Sequence, residues 1–219
     1  MKASPEQAIP PAPSRRELNK AATREAIAGA AMELLRSKGY GNFTVEDIAG
    51  TAGISRRTFF NYFNGIEAAV ASVSEGFLDN VLVRFRLRPI GEPILESARA
   101  ALSELADPMT VAPIAEMYSL AQTSPGLLRS ELEAWDTCTI QITEAIQERI
   151  SASGAEVSDL YIRALASSVM GCGKAAVDSW FAQCGADLSP ASLATLRSLL
   201  IESVTLLAHG FTDAPAATS

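Results

Sequence analysis

The chain has 219 residues, room for one large domain or two smaller ones, and is 48% hydrophobic and 20% charged, an ordinary balance for a globular protein in water. Its formal net charge of -7 excludes a molecule that wraps nucleic acid with its whole surface. The charge is unevenly spread, however: residues 1–66 carry nine Lys and Arg against six Asp and Glu, and the remainder nine against nineteen, so a small basic head precedes an acidic body.

Residues 1–14 hold four of the eleven prolines and almost nothing to bury, which predicts a disordered arm. From Arg15 to Lys38, Ile27, Ala30, Ala31, Leu34 and Leu35 recur at helical spacing, and Gly39 ends the run. Thr44 is placed to cap a short second helix, with Asp47 where a capping box would have Glu or Gln. Ser55 caps a third helix through about Tyr62, and a longer fourth runs from about Gly65 to Arg88. Five more helices are expected at Pro93–Leu105, Met109–Thr123, Leu127–Ser151, Val157–Cys184 and Pro190–Ala208, with a fraying tail after Gly210. No stretch alternates with period two, so no sheet is expected. The opening MKASPEQAIPPAPS has no apolar centre for a signal peptide, and no eighteen residues are uninterruptedly apolar. Cys138, Cys172 and Cys184 are scattered and form no CxxC pair. These features predict a cytoplasmic protein with no membrane partner.

The informative segment is Val45–Asn64, VEDIAGTAGISRRTFFNYFN. Two short helices that cross closely need a small residue at the contact and a glycine where the chain turns through positive φ. Counting Val45 as one, the small residue falls at position five (Ala49) and the glycine at nine (Gly53), with Ile48, Ala52, Ile54, Phe59 and Tyr62 at the inward positions. Ser55, Arg56, Arg57, Thr58 and Asn61 then face outward on the second helix. Arg and Asn pair bidentately with guanine and adenine edges, while Ser and Thr reach phosphate or base. A charge run alone is usually a solvated face, but turn, core and polar surface agree here on a helix-turn-helix. Arg15, Arg16, Lys20 and Arg24 upstream suit a grip on phosphate or an arm in the minor groove.

Residues from about Thr23 to Val70 resemble the N-terminal domain of the TetR family of bacterial regulators, through the first helix ending in SKGY, then TVEDIAGTAGISRRTFFNYF, then the helix opening at Glu67. The resemblance implies a three-helix DNA-binding head, a linking fourth helix, a helical effector domain and dimerisation through the last two long helices. The DNA-facing residues are then Thr44, Ser55, Arg56, Arg57, Thr58, Asn61 and Tyr62. Two positions depart from the family pattern. Phe60 stands where a tyrosine usually reaches phosphate, and Ile66 where a lysine usually supports backbone contact.

Beyond the head, the helix Val157–Cys184 is rich in small residues, which lets a neighbouring helix approach closely, and Leu193, Leu196, Leu200, Val204 and Leu207 stripe the last helix. Both features fit a homodimer bundle, with intrachain packing the competing reading. Phe77, Met117, Tyr118, Trp135, Cys138, Gln141, Met170, Lys174 and Trp180 suit the lining of a pocket for a small, mostly apolar effector, against plain core packing for each. Lys174 would pair an acidic ligand group, or Asp178 one turn on. His209 is expected beside its helix C-terminus.

The expected fold is all-α: an arm at 1–14, a helix-turn-helix head at 15–66, and a helical ligand-binding and dimerisation bundle at 67–210. The function expected is that of a ligand-responsive transcriptional regulator, a repressor on a palindromic double-stranded operator, with no cofactor and no metal. An architectural or cell-division factor on the same fold is the alternative. An all-helical enzyme is the other, although the chain has a single histidine and neither a G-x-S-x-G nor a P-loop motif.

Overall fold

The computed structural model describes residues 15–105 and 107–211; the expected arm at 1–14 and the tail from 212 onward lie outside them. Among the described residues there is no strand. The fold is all-α, in two compact units divided between Asn64 and Gly65.

The head consists of α1 (Arg15–Lys38), α2 (Val45–Thr51) and α3 (Arg56–Phe60). The α1 residues picked out by helical spacing, Ile27, Ala30, Ala31, Leu34 and Leu35, are all buried. Ile27, Ile48 and Phe59 are fully enclosed, each contributing roughly 1.5–3 kcal/mol by leaving water. Gly39 ends α1 at φ 80°, its N–H donating to the Leu35 carbonyl at 2.9 Å. The α2 N-terminus is a complete capping box built with an aspartate. Asp47 N–H donates to Thr44 Oγ1 at 3.2 Å, and Thr44 N–H donates to Asp47 Oδ2 at 2.8 Å.

The larger unit contains α4 (Ile66–Leu87), α5 (Ile94–Ser103), a 3₁₀ turn (Pro108–Val111), α6 (Ala112–Ala121), α7 (Pro125–Ser153), α8 (Asp159–Cys184) and α9 (Pro190–Ala208). The stretch expected as one helix from Met109 is divided, because Pro113 brings no N–H to the first turn of α6 and the chain ahead of it closes as a 3₁₀ turn. The α8 helix starts two residues later than expected, where the Ser158 side chain accepts the Tyr161 N–H. The main packing runs of the bundle are α4 along α7 and α8 along α9.

One charged side chain anchors the bundle's linker. Arg149, buried on α7, donates to the Pro89 carbonyl, to the Glu92 carbonyl at 3.0 Å and to Ser97 Oγ at 2.8 Å. This ties the α4–α5 connection to α7. Glu92 accepts from Arg88 at 2.6 Å and from Ser97 Oγ at 2.6 Å, and these bonds hold its carboxyl down at about 2. By length and composition α9 is apolar enough to cross a membrane, with a mean hydropathy of 1.4 over eighteen residues. Here its Leu193, Leu196 and Leu200 pack with Trp180 in a shared apolar cluster.

Candidate nucleic-acid interface and effector cavity

The turn between α2 and α3 is built as its sequence dictates. Gly53 takes φ 67°, and the Ile54 N–H reaches back to the Ala49 carbonyl at 2.9 Å. Ile48, Ala49, Phe59 and Phe63 are buried, while Ala52, Ile54 and Tyr62 are half-buried. The outward residues divide by what already occupies them. Ser55 caps α3, accepting the Thr58 N–H at 3.0 Å and lying 2.8 Å from the Thr58 hydroxyl. Arg56 lies 3.1 Å from Glu46 Oε1 and 5.5 Å from the centre of the Phe60 ring. Thr44 is held in its capping box. Arg57 and Asn61 are exposed, and among the described residues neither side chain has a hydrogen-bond or ion-pair partner. Arg24 is not a loose phosphate grip. Its guanidinium stacks 4.4 Å from the Phe63 ring and donates to the Tyr62 carbonyl at 3.2 Å, closing the C-terminal side of α3. Arg15, Arg16 and Lys20 are exposed on the first turns of α1.

A cavity of about 130 Å³ lies in the larger unit, bounded by residues of its three apolar clusters, among them Val177 and Leu200, Val81 and Ala145, and Ile142 and Ile146. Phe77, Trp135, Cys138 and Met170 line it, and so does Ser74. Among the described residues no charged side chain does. Burial, with the carboxylates of Glu75 and Asp79, pushes the Cys138 thiol up to about 12, so it stays neutral at physiological pH. Four residues before Trp135 on α7, Glu131 is almost fully buried, with Oε1 lacking a hydrogen-bond partner. Burial pushes its carboxyl up to about 7, against the pull of Lys174 and with the push of Asp178.

Residues 27–73, which contain the whole turn, match the family of bacterial regulatory proteins named for tetR. The HTH-type transcriptional regulator TcmR of Streptomyces glaucescens is 25% identical over 197 residues, covering 86% of each chain. The fatty acid degradation regulator FadR of Bacillus halodurans shares the fold, with 20% identity, a TM-score of 0.50, and 88% of this chain and 97% of that one covered. FadR of Thermus thermophilus, solved with lauroyl-CoA, aligns at 25% identity and a TM-score of 0.49, over 90% of this chain and 100% of that one. The head of this chain is thus similar to the DNA-binding domain of TetR-family transcriptional regulators.

The nine residues expected at a pocket separate into two sets. Phe77, Trp135, Cys138 and Met170 meet at the cavity; Met117, Tyr118, Gln141, Lys174 and Trp180 do not. Each of the five is committed elsewhere. Met117 is fully buried in α6, and Trp180, equally buried, donates from Nε1 to Ser192 Oγ at 2.8 Å, tying α8 to α9. Tyr118 donates to Asp178, and Gln141 donates to Asp79 Oδ1 at 2.9 Å. Lys174 takes the second course open to it, 3.2 Å from Asp178 and 5.1 Å from the centre of the Trp135 ring. His209 caps α9, its Nδ1 2.8 Å from the Thr205 carbonyl. Ser74 was missed because one serine on an apolar helix gives no pattern. Of the two departures from the family pattern, Phe60 is 47% exposed, its ring edge-on to Phe59, and Ile66 opens α4 half-buried.

Proposed function

We propose that this chain is a ligand-responsive repressor of the TetR family that binds a palindromic operator as a homodimer, reading base edges with α3 and releasing DNA when a small apolar effector occupies the α4–α9 bundle. The observation that carries the reading is the outward face of α3, where Arg57 and Asn61 are exposed and uncommitted beside side chains already paired within the head. Those two carry donors, and in Asn61 an acceptor, that distinguish base pairs in the major groove. Repression is favoured over activation because blocking a promoter needs no further contact. A site of action in the cytoplasm agrees with three cysteines that all remain free thiols.

The dimer is supported by what α8 and α9 leave uncovered. Ala164, Ser168, Gly171 and Ala175 are exposed at spacings of four, three and four residues, one small-residue stripe along α8. Only 28% of the apolar window in α9 is buried within the chain. A second copy covering both would hold two reading heads on one site, matching protein symmetry to operator symmetry.

Selection of bound DNA from a random pool by the full chain tests the reading. The expected product is an inverted repeat with half-sites about one helical turn apart or slightly more, whose binding weakens as salt rises. A pool that converges on no sequence would overturn it.

A further inference from the structure

Ser74 lies on the α4 wall of the cavity, 93% withdrawn from solvent, and its Oγ has no hydrogen-bond partner in the protein. Several helical serines elsewhere in the chain bond back to a carbonyl one turn earlier. Ser72 donates to the Ala69 carbonyl at 2.8 Å, Ser119 to Ala115 at 2.7 Å and Ser168 to Ala164 at 2.7 Å. Ser74 departs from that habit at the place where α4 faces open space. A buried hydroxyl left unbonded is unfavourable, so a partner entering the cavity gains by supplying the missing bond. Water is a poor candidate. It needs two to four polar partners, and the remaining lining is hydrocarbon, aromatic rings, a thioether and a neutral thiol.

We infer that the effector is a neutral molecule about the size of one substituted ring, its apolar body filling the cavity and its single oxygen acceptor taking the Ser74 hydroxyl. This rests on the proposed ligand-responsive reading and names the ligand class for it. The size follows from the volume: a cavity of about 130 Å³ compares with the roughly 150 Å³ in which an apolar protein interior accommodates benzene. Neutrality follows from the lining. With no Lys, Arg, His, Asp or Glu among the cavity residues, a carboxylate or ammonium would lose its hydration and meet no counter-charge. Ketones, aldehydes and esters of that size fit, and acids and amines do not. The gain from the oxygen is modest, because one side-chain rotation offers Ser74 its own helix carbonyl at Val70 as a rival acceptor.

Calorimetric titration of the full chain, free of DNA, with ethylbenzene, acetophenone and benzoate separates the possibilities. The three differ little in size and differ in the group presented to Ser74. Acetophenone is expected to bind about five- to tenfold more tightly than ethylbenzene, and benzoate about a hundredfold more weakly than the ketone or not at all. Ser74→Ala, whose helix content and melting are followed in parallel, is expected to bind the two neutral probes equally well. Equal affinities in the parent would overturn the inference. So would a ketone preference that survives Ser74→Ala, benzoate binding as tight as the ketone, or failure of all three to bind. The regulator reading fails separately. A chain that selects no DNA sequence yet keeps the Ser74-dependent preference loses that reading and retains this one.

Discussion

Under the proposed reading, the decisive distinction around α3 is between side chains that build the helix and side chains left to read DNA. Ser55 and Thr58 are bonded to each other and to the first turn, so Ser55→Ala removes a cap, a change typically costing about 1 kcal/mol of stability. Arg57 and Asn61 hold nothing in place. Replacing either by Ala should leave the melting temperature unchanged and weaken operator binding by about 1–3 kcal/mol, with the loss concentrated at one base position. Titration against a set of single-base operator variants checks this. If both variants bind every sequence as the parent does, reading lies elsewhere. Arg56 is the intermediate case, since DNA must compete with Glu46 for it. Under the proposed reading, the exposed Phe60 ring offers phosphate no hydroxyl and Ile66 offers it no charge, so backbone affinity would rest on fewer contacts.

At the scale of the helices, α7 carries a group whose ionisation opposes folding. Buried Glu131 has its carboxyl raised from 4.5 to about 7. The folded chain therefore binds a proton between those values that the unfolded chain releases. Its contribution is favourable below about pH 4.5 and is lost as pH rises towards 7. Above that, keeping the group buried or ionising it there costs about 3 kcal/mol. Glu131→Gln should accordingly raise stability at pH 8 and flatten this part of the pH profile, as read by urea unfolding at pH 5 and pH 8. An unchanged slope between the two would show that Glu131 is solvated. The helices themselves were legible because each is marked locally. Period-3.6 burial, Thr44 and Ser55 at N-termini and Gly39 at a C-terminus are all short-range signals. The cavity was only partly legible. How far along one helix face the open space extends depends on how neighbouring helices are set, and this assigned Met170 to the cavity and Lys174, one turn on along the same face, to Asp178. Composition alone could not rank Trp135, which lines the cavity, above Trp180, which clamps α8 to α9.

Across the whole molecule, a basic head precedes an acidic remainder, and under the proposed reading the head alone meets phosphate. Under the proposed mechanism, effector and operator compete for the state of one dimer. The effector must prefer a dimer whose reading helices are wrongly spaced for successive major grooves, because a ligand with equal affinity for both states shifts nothing. Linkage makes the coupling reciprocal. The most direct test is therefore a single cycle, in which anisotropy of a labelled selected operator is titrated with the full chain, with and without saturating acetophenone. Calorimetry supplies the ketone's affinity with and without operator. The proposed mechanism predicts a loss of operator affinity of about 5- to 150-fold with the ketone bound, and an equal loss of ketone affinity with operator bound. Operator affinity unchanged by a ketone that calorimetry shows to be bound would contradict it.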